Sequence, residues 1–464
     1  MDDTLTSSAP IFTADNVALG ERSSRLSSAI VVVLFFIPVF ATVLFGGVDN
    51  ATWVFITIFC VAIVCLWAAD SWKGMGLLIN TSALQLPLLA LLGIGLIQLL
   101  PVGPGGAPLS MDPFTTRFFL THLTVYILFF AACLTFINND KRFRKAVILV
   151  IIFGAVMAFI GILQRLATPE SIYGMRGTRQ GIPFGPFVNE HHFAAFMEMT
   201  AGVALGLLFG RKTKRDKRFL LAFATIIMGV AVVFTSSRGG MLGLVSVIAF
   251  VAILSMLSNR SRDKQQESGF GFKGKLALAG GAAALVLVML GSVLLLGGDQ
   301  QLFRGIGATQ VQQGVSNGRA HIWSVALKVF FDHPFLGAGF DAFGVAFTRY
   351  DTWNGLLRVE QAHNDYLQTL ADAGIVGFVC IAVLIYLLFR KALKTIGAAQ
   401  GFRRDAAVGA LAGCFGLLVH SFFDFPLRTP SNAFFFLMLS AIAVVPVRSV
   451  EPERRRRRSS STAP

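Results

Sequence analysis

Arg238, Arg319 and His363 are the residues of this chain best suited to chemistry. Arg238 lies in FTSSRGG, 234–240, between two apolar runs each only long enough to cross a bilayer. No linker carries its guanidinium into water. It must end near a membrane surface or in a polar cavity, where a charge is costly unless an anion meets it. Arg319 lies in NGRAHIW and His363 in QAHNDYLQ. Two arginines offer forked donors that match phosphate oxygens. A neutral imidazole accepts a proton from a hydroxyl. The set suits group transfer from a lipid-linked phosphate compound.

Each of the three has a plainer reading beside it. Arg238 could snorkel to headgroups, but Gly239 and Gly240 beside it let a substrate approach the backbone, and Ser236 and Ser237 add hydrogen bonds. A serine nucleophile is disfavoured, since nothing local supplies a triad. Around Arg319, Ile322, Trp323, Ala326, Leu327 and Phe330 recur at 3–4 spacing, which predicts an amphipathic helix over 316–334, capped by Asn317 and stopped by Pro334. Its apolar face would lie on the outer leaflet or on the bundle. Arg319 would then sit in the first turn, where a cation opposes the helix dipole but the free N–H groups make an anion cradle. The alternative is a surface arginine paired to a carboxylate. His363 has Asn364 and Asp365 at hand to orient its ring, and Gly374 and Gly377 follow as a GxxG that permits close helix packing.

Other polar residues are contact candidates. GPFVNEHHFAAFMEM, 185–199, offers Asn189 and His192 for substrate contact or helix capping. Adjacent histidines on a helix point about 100° apart, so His191 and His192 are a poor chelate and no metal is expected. Glu198 must face protein or a cavity. Arg176 and Arg179 in YGMRGTRQG could take an anionic glycan or phosphate. In HSFFDFPLRTPS, 420–431, Asp424 and Arg428 are spaced to pair with each other.

The elements that must hold these residues are membrane helices. The 464 residues are 55% hydrophobic and 14% charged, and apolar stretches of bilayer length recur throughout. Twelve spans are expected, over 28–46, 52–69, 82–100, 118–137, 146–166, 191–210, 219–236, 240–257, 276–297, 371–389, 406–423 and 432–447. That gives a tail at 1–27, spans one to nine over 28–297, a long loop over 298–370, spans ten to twelve over 371–447 and a basic tail over 448–464. Most of the 40 Lys and Arg, including KRFRK 141–145, RKTKRDKR 211–218 and RRRRR 454–458, then fall on one side. The positive-inside rule makes that side cytoplasmic, with both termini there, and leaves 167–190 and 298–370 outside. The N-terminal tail lacks a small-residue cleavage pattern and reads as a tail, not a signal peptide. The polyarginine tail fits anionic membrane lipids; no folded basic domain accompanies it, so nucleic acid is not expected. All five cysteines lie in apolar runs without metal-type spacing and read as small buried hydrophobes.

As a set, these residues resemble the O-antigen ligase and polymerase superfamily of bacterial inner membranes. TSSRGG (235–240), NGRAHIWSVALKVFFDHPFLGAGFDAF (317–343), AHNDYLQTLADAGIVG (362–377) and HSFFDFPLRTPSNAFFF (420–436) match its motifs in order, over a shared region of roughly 190–390. The resemblance implies an all-α, C-type glycosyltransferase fold of about twelve transmembrane helices. Its one long periplasmic loop would hold the amphipathic helix. It implies a glycan on undecaprenyl pyrophosphate as donor, no metal cofactor, and an Arg–Arg–His constellation at Arg238, Arg319 and His363. Ser237, Arg176, Arg179, Asn189, His192 and Asn364 are the accompanying substrate-contact candidates. The acceptor is a lipid A–core in a ligase and a lipid-linked repeat unit in a polymerase; a protein acceptor is a third option. A flippase would need polar residues along a two-sided path and related halves, and neither is visible.

Overall fold

The computed structural model describes residues 24–74, 76–178, 181–210, 213–263, 313–352 and 358–445, with 280 and 287 singly. Most of the N-terminal tail, the expected ninth span at 276–297, the start of the long loop, Arg179 and the basic tail lie outside the described residues.

Helices make up most of what is described. They are α1 (Arg25–Val43), α2 (Asn50–Lys73), α3 (Gln85–Gln98), α4 (Pro113–Phe136), α5 (Asp140–Ala167), α6 (Glu190–Leu208), α7 (Arg215–Phe234) and α8 (Arg238–Asp263). After them come α9 (Gln313–Asp332), α10 (Phe343–Tyr350), α11 (Asp365–Ala398), α12 (Gly401–His420) and α13 (Pro430–Val444). A short antiparallel ribbon, β1 (Ser171–Ile172) with β2 (Arg176–Gly177), lies between α5 and α6. Among the described residues, seven helices are long and apolar enough to cross a membrane. The protein is an all-α polytopic membrane protein.

α6 is buried on almost every side, as befits the centre of a bundle. Its closest neighbour is α12, and glycines permit the approach. A side-chain carbon at Gly202 would stand 2.7 Å from the Gly413 nitrogen, and one at Gly206 would stand 2.5 Å from the Gly409 nitrogen. Gly202 and Gly206 are one turn apart, as are Gly409 and Gly413, so two small-residue stripes face each other.

The two ends of the bundle differ in chemistry. At one end Arg142 Nη2 donates to Ser27 Oγ at 2.6 Å, Arg403 Nε donates to Asp140 at 2.6 Å, and Lys391 donates to Ser82 at 3.0 Å. This end holds the basic runs 141–145 and 390–404. The opposite end holds α9, α10 and the turn between α12 and α13.

α11 is longer than the expected span at 371–389, because it begins in a buried polar segment. Asn364 caps it, accepting from Tyr366 N and Leu367 N at 3.0 Å each. The helix breaks at Gly374, with φ 63 and ψ −166, and the loop after α9 fills the break. Ala338 N donates to Ala371 O at 2.8 Å, Gly339 N to Asp372 O at 3.1 Å, and Ile375 N to Pro334 O at 2.8 Å. Gln98 of α3 closes the joint by donating to Leu336 O and Asp372 O and accepting from Phe340 N. Gly374 thus serves a backbone kink and not the helix-to-helix packing expected of a GxxG. A β-carbon there would lie 2.7 Å from Leu336 N. Gly374→Ala is expected to cost about 2 kcal/mol or more. An unchanged thermal midpoint of the purified protein would contradict this joint.

α9 starts at Gln313, earlier than an Asn317 cap allows. Arg319 therefore sits in the second turn, and the proposed cradle of free first-turn N–H groups is not beside it. The buried face of α9 is Ile322, Val325, Ala326 and Val329, packed with Phe343, Phe347 and Ala362; Leu327 is exposed. The helix lies on α10 and α11, so its apolar face is covered by protein and not by the leaflet.

Candidate functional site

The site is assembled where α9, the start of α11 and the turn 421–429 meet. Trp323, one turn after Arg319, donates its indole N–H to Ala362 O at 3.0 Å, and Ala362 N donates to Gln368 Oε1 at 2.6 Å. Pinned on both sides at 362, the chain passes His363 in a left-handed conformation, φ 51, which is uncommon outside glycine. Asn364 Nδ2 donates to Phe422 O at 3.0 Å and Asp365 N to Ser421 O at 3.0 Å. These bonds lock the 363 segment to the 421–429 turn.

Asp424 is the hub of that turn. Its side chain is 2% exposed, with Oδ1 3.3 Å from His363 Nδ1 and Oδ2 4.0 Å from Arg319 Nη2. Phe425 N donates to Oδ1 at 2.9 Å. Burial alone would push this carboxyl up. The His363 hydrogen bond and the nearby His191, His192 and His363 outweigh burial and hold it well below the usual carboxylate range. Asp424 is therefore an acceptor, and His363 Nδ1 must carry the proton it donates. The stability Asp424 contributes is present above the usual carboxylate range and is lost only as pH falls into strong acid.

Several buried polar atoms here have no hydrogen-bond partner among the described residues: Arg319 Nε, Asp424 Oδ2, His192 Nε2 and Ser236 Oγ. Such atoms are costly when left unpaired, and their concentration at one end marks a place for a polar ligand. Phe425 stands between His192 and His363, edge-on to each with ring centroids 4.8 Å apart. The other nitrogen of His192 is 2.6 Å from Thr429 Oγ1.

Arg319 and His363 thus meet at one carboxylate. Arg238 opens α8 at the same end, and the residue after it, Gly239, faces His420 and Phe423, just before Asp424. The other polar residues singled out by the sequence are engaged as follows. Gly239 and Gly240 admit protein, not substrate: β-carbons there would strike His420 and Ala194 at 2.6 Å. Ser237 is 1% exposed, and its hydroxyl accepts from Gly240 N at 3.1 Å to cap α8. Asn189 caps α6 through His191 N. Asn364 is committed to its cap and to Phe422. Asp365 binds Ser421 Oγ and Leu427 N, so Asp424, and not Asp365, orients His363. Arg428 pairs with Asp341 and Asp372, leaving Asp424 to the site. Arg176 forms a forked pair with Asp49, at 2.5 and 3.0 Å, and lies over the Phe45 ring.

A polytopic helical membrane protein that gathers arginine, histidine and aspartate at the end away from its basic loops is the class this architecture defines. Residues 223–382, which include Arg238, Arg319 and His363, match the family described as O-antigen ligase. The O-antigen ligase of Pseudomonas aeruginosa is similar to this chain, 26% identical over 269 residues, which is 57% of this chain and 55% of that protein. The chain thus spans about half the length of the curated relative it matches. The similarity to O-antigen ligases thus rests on the region that carries Arg238, Arg319 and His363. Asp424, His191 and His192 lie outside 223–382.

Proposed function

We propose that this protein is a membrane glycosyltransferase of the O-antigen ligase type. It passes a glycan from undecaprenyl pyrophosphate to an acceptor hydroxyl, with inversion, on the periplasmic side of the bacterial inner membrane. The observation that carries the reading is the convergence of Arg319 and His363 on buried Asp424, beside the first turn of the helix that begins with Arg238. The site's position opposite the basic runs supports a periplasmic location, with both termini cytoplasmic.

Arg238 and Arg319 hold the diphosphate and stabilise the charge that grows on it as the sugar C1–O bond breaks. The electron pair of that bond leaves with the diphosphate. Asp424 keeps the proton on Nδ1 of His363, so Nε2 presents its lone pair to the acceptor hydroxyl and takes its proton as the oxygen bonds to C1. Attack opposite the leaving group inverts the anomeric centre. The arginines meet the diphosphate charge, so no metal is required. EDTA is expected to leave the rate unchanged; inhibition reversed by a divalent cation contradicts the scheme.

A lipid A–core acceptor is what the resemblance to the ligases implies; a polymerase, with a lipid-linked repeat unit as acceptor, uses the same donor chemistry. Deleting the gene in its host and analysing the carrier lipid distinguishes them. Long chains left on the carrier indicate a ligase, and single repeat units indicate a polymerase.

A further inference from the structure

One buried ionisable pair plays no part in the chemistry above. Glu198 of α6 and His420 at the end of α12 have side chains 0% and 1% exposed, with Glu198 Oε1 2.8 Å from His420 Nδ1. Glu198 lies one turn before Gly202, so the α6–α12 crossing that brings glycine against glycine also sets this pair.

α8 rests on the pair through bare backbone. A β-carbon at Gly239 would stand 2.6 Å from His420 Cδ2 and 2.9 Å from Nε2, and one at Gly243 would strike the Glu198 carboxyl. These glycines are one turn apart and share a face. The residue before Gly239 is Arg238. The carbonyl of His420 also accepts from Phe423 N at 2.8 Å and Asp424 N at 3.2 Å. One residue therefore touches the turn that carries Arg238 through its ring and the turn that carries Asp424 through its backbone.

Packing alone does not call for this chemistry. An apolar pair of similar volume fills such a space as well or better, and Glu198 Oε2 has no hydrogen-bond partner among the described residues. An apolar pair cannot hold an imidazole at one ring angle, with Nδ1 committed to a carboxylate and the opposite edge against α8. A carboxylate that fixes a histidine in this way is a common supporting device.

We infer that Glu198 and His420 are positioning residues, which set the first turn of α8, and with it Arg238, against the turn carrying Asp424, and so control affinity for the donor's diphosphate. The ligand in this inference rests on the proposed function. The positioning rests on the contacts of Gly239, Gly243 and His420.

The test uses the full chain in lipid nanodiscs with undecaprenyl pyrophosphate, lacking glycan, as the probe. Glu198→Ala is expected to raise its Kd about tenfold, within the range of coupled neighbours. Glu198→Gln can accept from His420 Nδ1 or donate to it and should recover most of that loss. In an Arg238→Ala background, Glu198→Ala should add little, because its effect runs through Arg238; a loss as large as in the parent marks a merely structural role and overturns the inference. Should Glu198→Ala fail to fold, His420→Asn takes its place in the same cycle, with the same expected outcome. A wild-type protein that does not bind the probe overturns the functional reading and this inference together. Wild-type binding with an unchanged Kd in Glu198→Ala and His420→Asn overturns the positioning alone.

Discussion

Arg319→Ala is expected to lower glycan transfer by about 10²–10³-fold, the cost of removing one preorganised donor from a developing oxyanion, while the protein remains in the membrane. The guanidinium lies 4.0 Å from Asp424, with its Nε buried and without a hydrogen-bond partner among the described residues. It is held near a carboxylate without being consumed by it. α9 packs through Ile322, Val325, Ala326 and Val329, so truncating Arg319 leaves the helix seated. Arg319→Lys should recover little, since an ammonium cannot reproduce the fork that meets two phosphate oxygens. Arg238→Ala should behave likewise. Full activity in either alanine variant would remove that residue from the diphosphate clamp.

His363→Ala is expected to lose about 10²–10⁴-fold in turnover, the usual worth of a positioned base, while donor affinity changes far less. This split separates the base from the arginines, which act on the diphosphate. Asp424→Asn should fall on the same axis. An amide can accept from His363 Nδ1 or donate to it, so it no longer dictates which nitrogen bears the proton, and kcat should drop with little change in donor KM. The comparison is made in single turnovers, where binding and chemistry are separated. An unchanged single-turnover rate in His363→Ala would exclude it as the base.

How much of this was legible in the sequence depends on the range of the interaction. The helices were, because apolar length is local: α1, α2, α4, α5, α7, α8 and α11 satisfy the length and hydropathy of a membrane crossing. The start of α9 departs from its local signal, because Asn317 looks like a cap but the chain is already helical from Gln313. Arg238, Arg319 and His363 stood out because charged or titratable residues near spans are expensive. The spacing of four between Asp424 and Arg428 suggests a pair, but it brings residues together only on a helix. α12 ends at His420, and the turn that follows sends Asp424 to His363 and Arg428 to Asp341 and Asp372. The Glu198–His420 pair joins residues more than two hundred positions apart. Each was visible as a polar residue in an apolar run, but only the α6–α12 crossing shows that they meet.

The most direct test reconstitutes the purified protein in liposomes with undecaprenyl-pyrophosphate-linked glycan and acceptor on the leaflet opposite the basic end. Product is measured for the wild type and for Arg238→Ala, Arg319→Ala and His363→Ala. The site described here predicts transfer by the wild type in EDTA and its loss in all three variants. No transfer by a folded wild type, or transfer only when donor is supplied at the basic end, would contradict it.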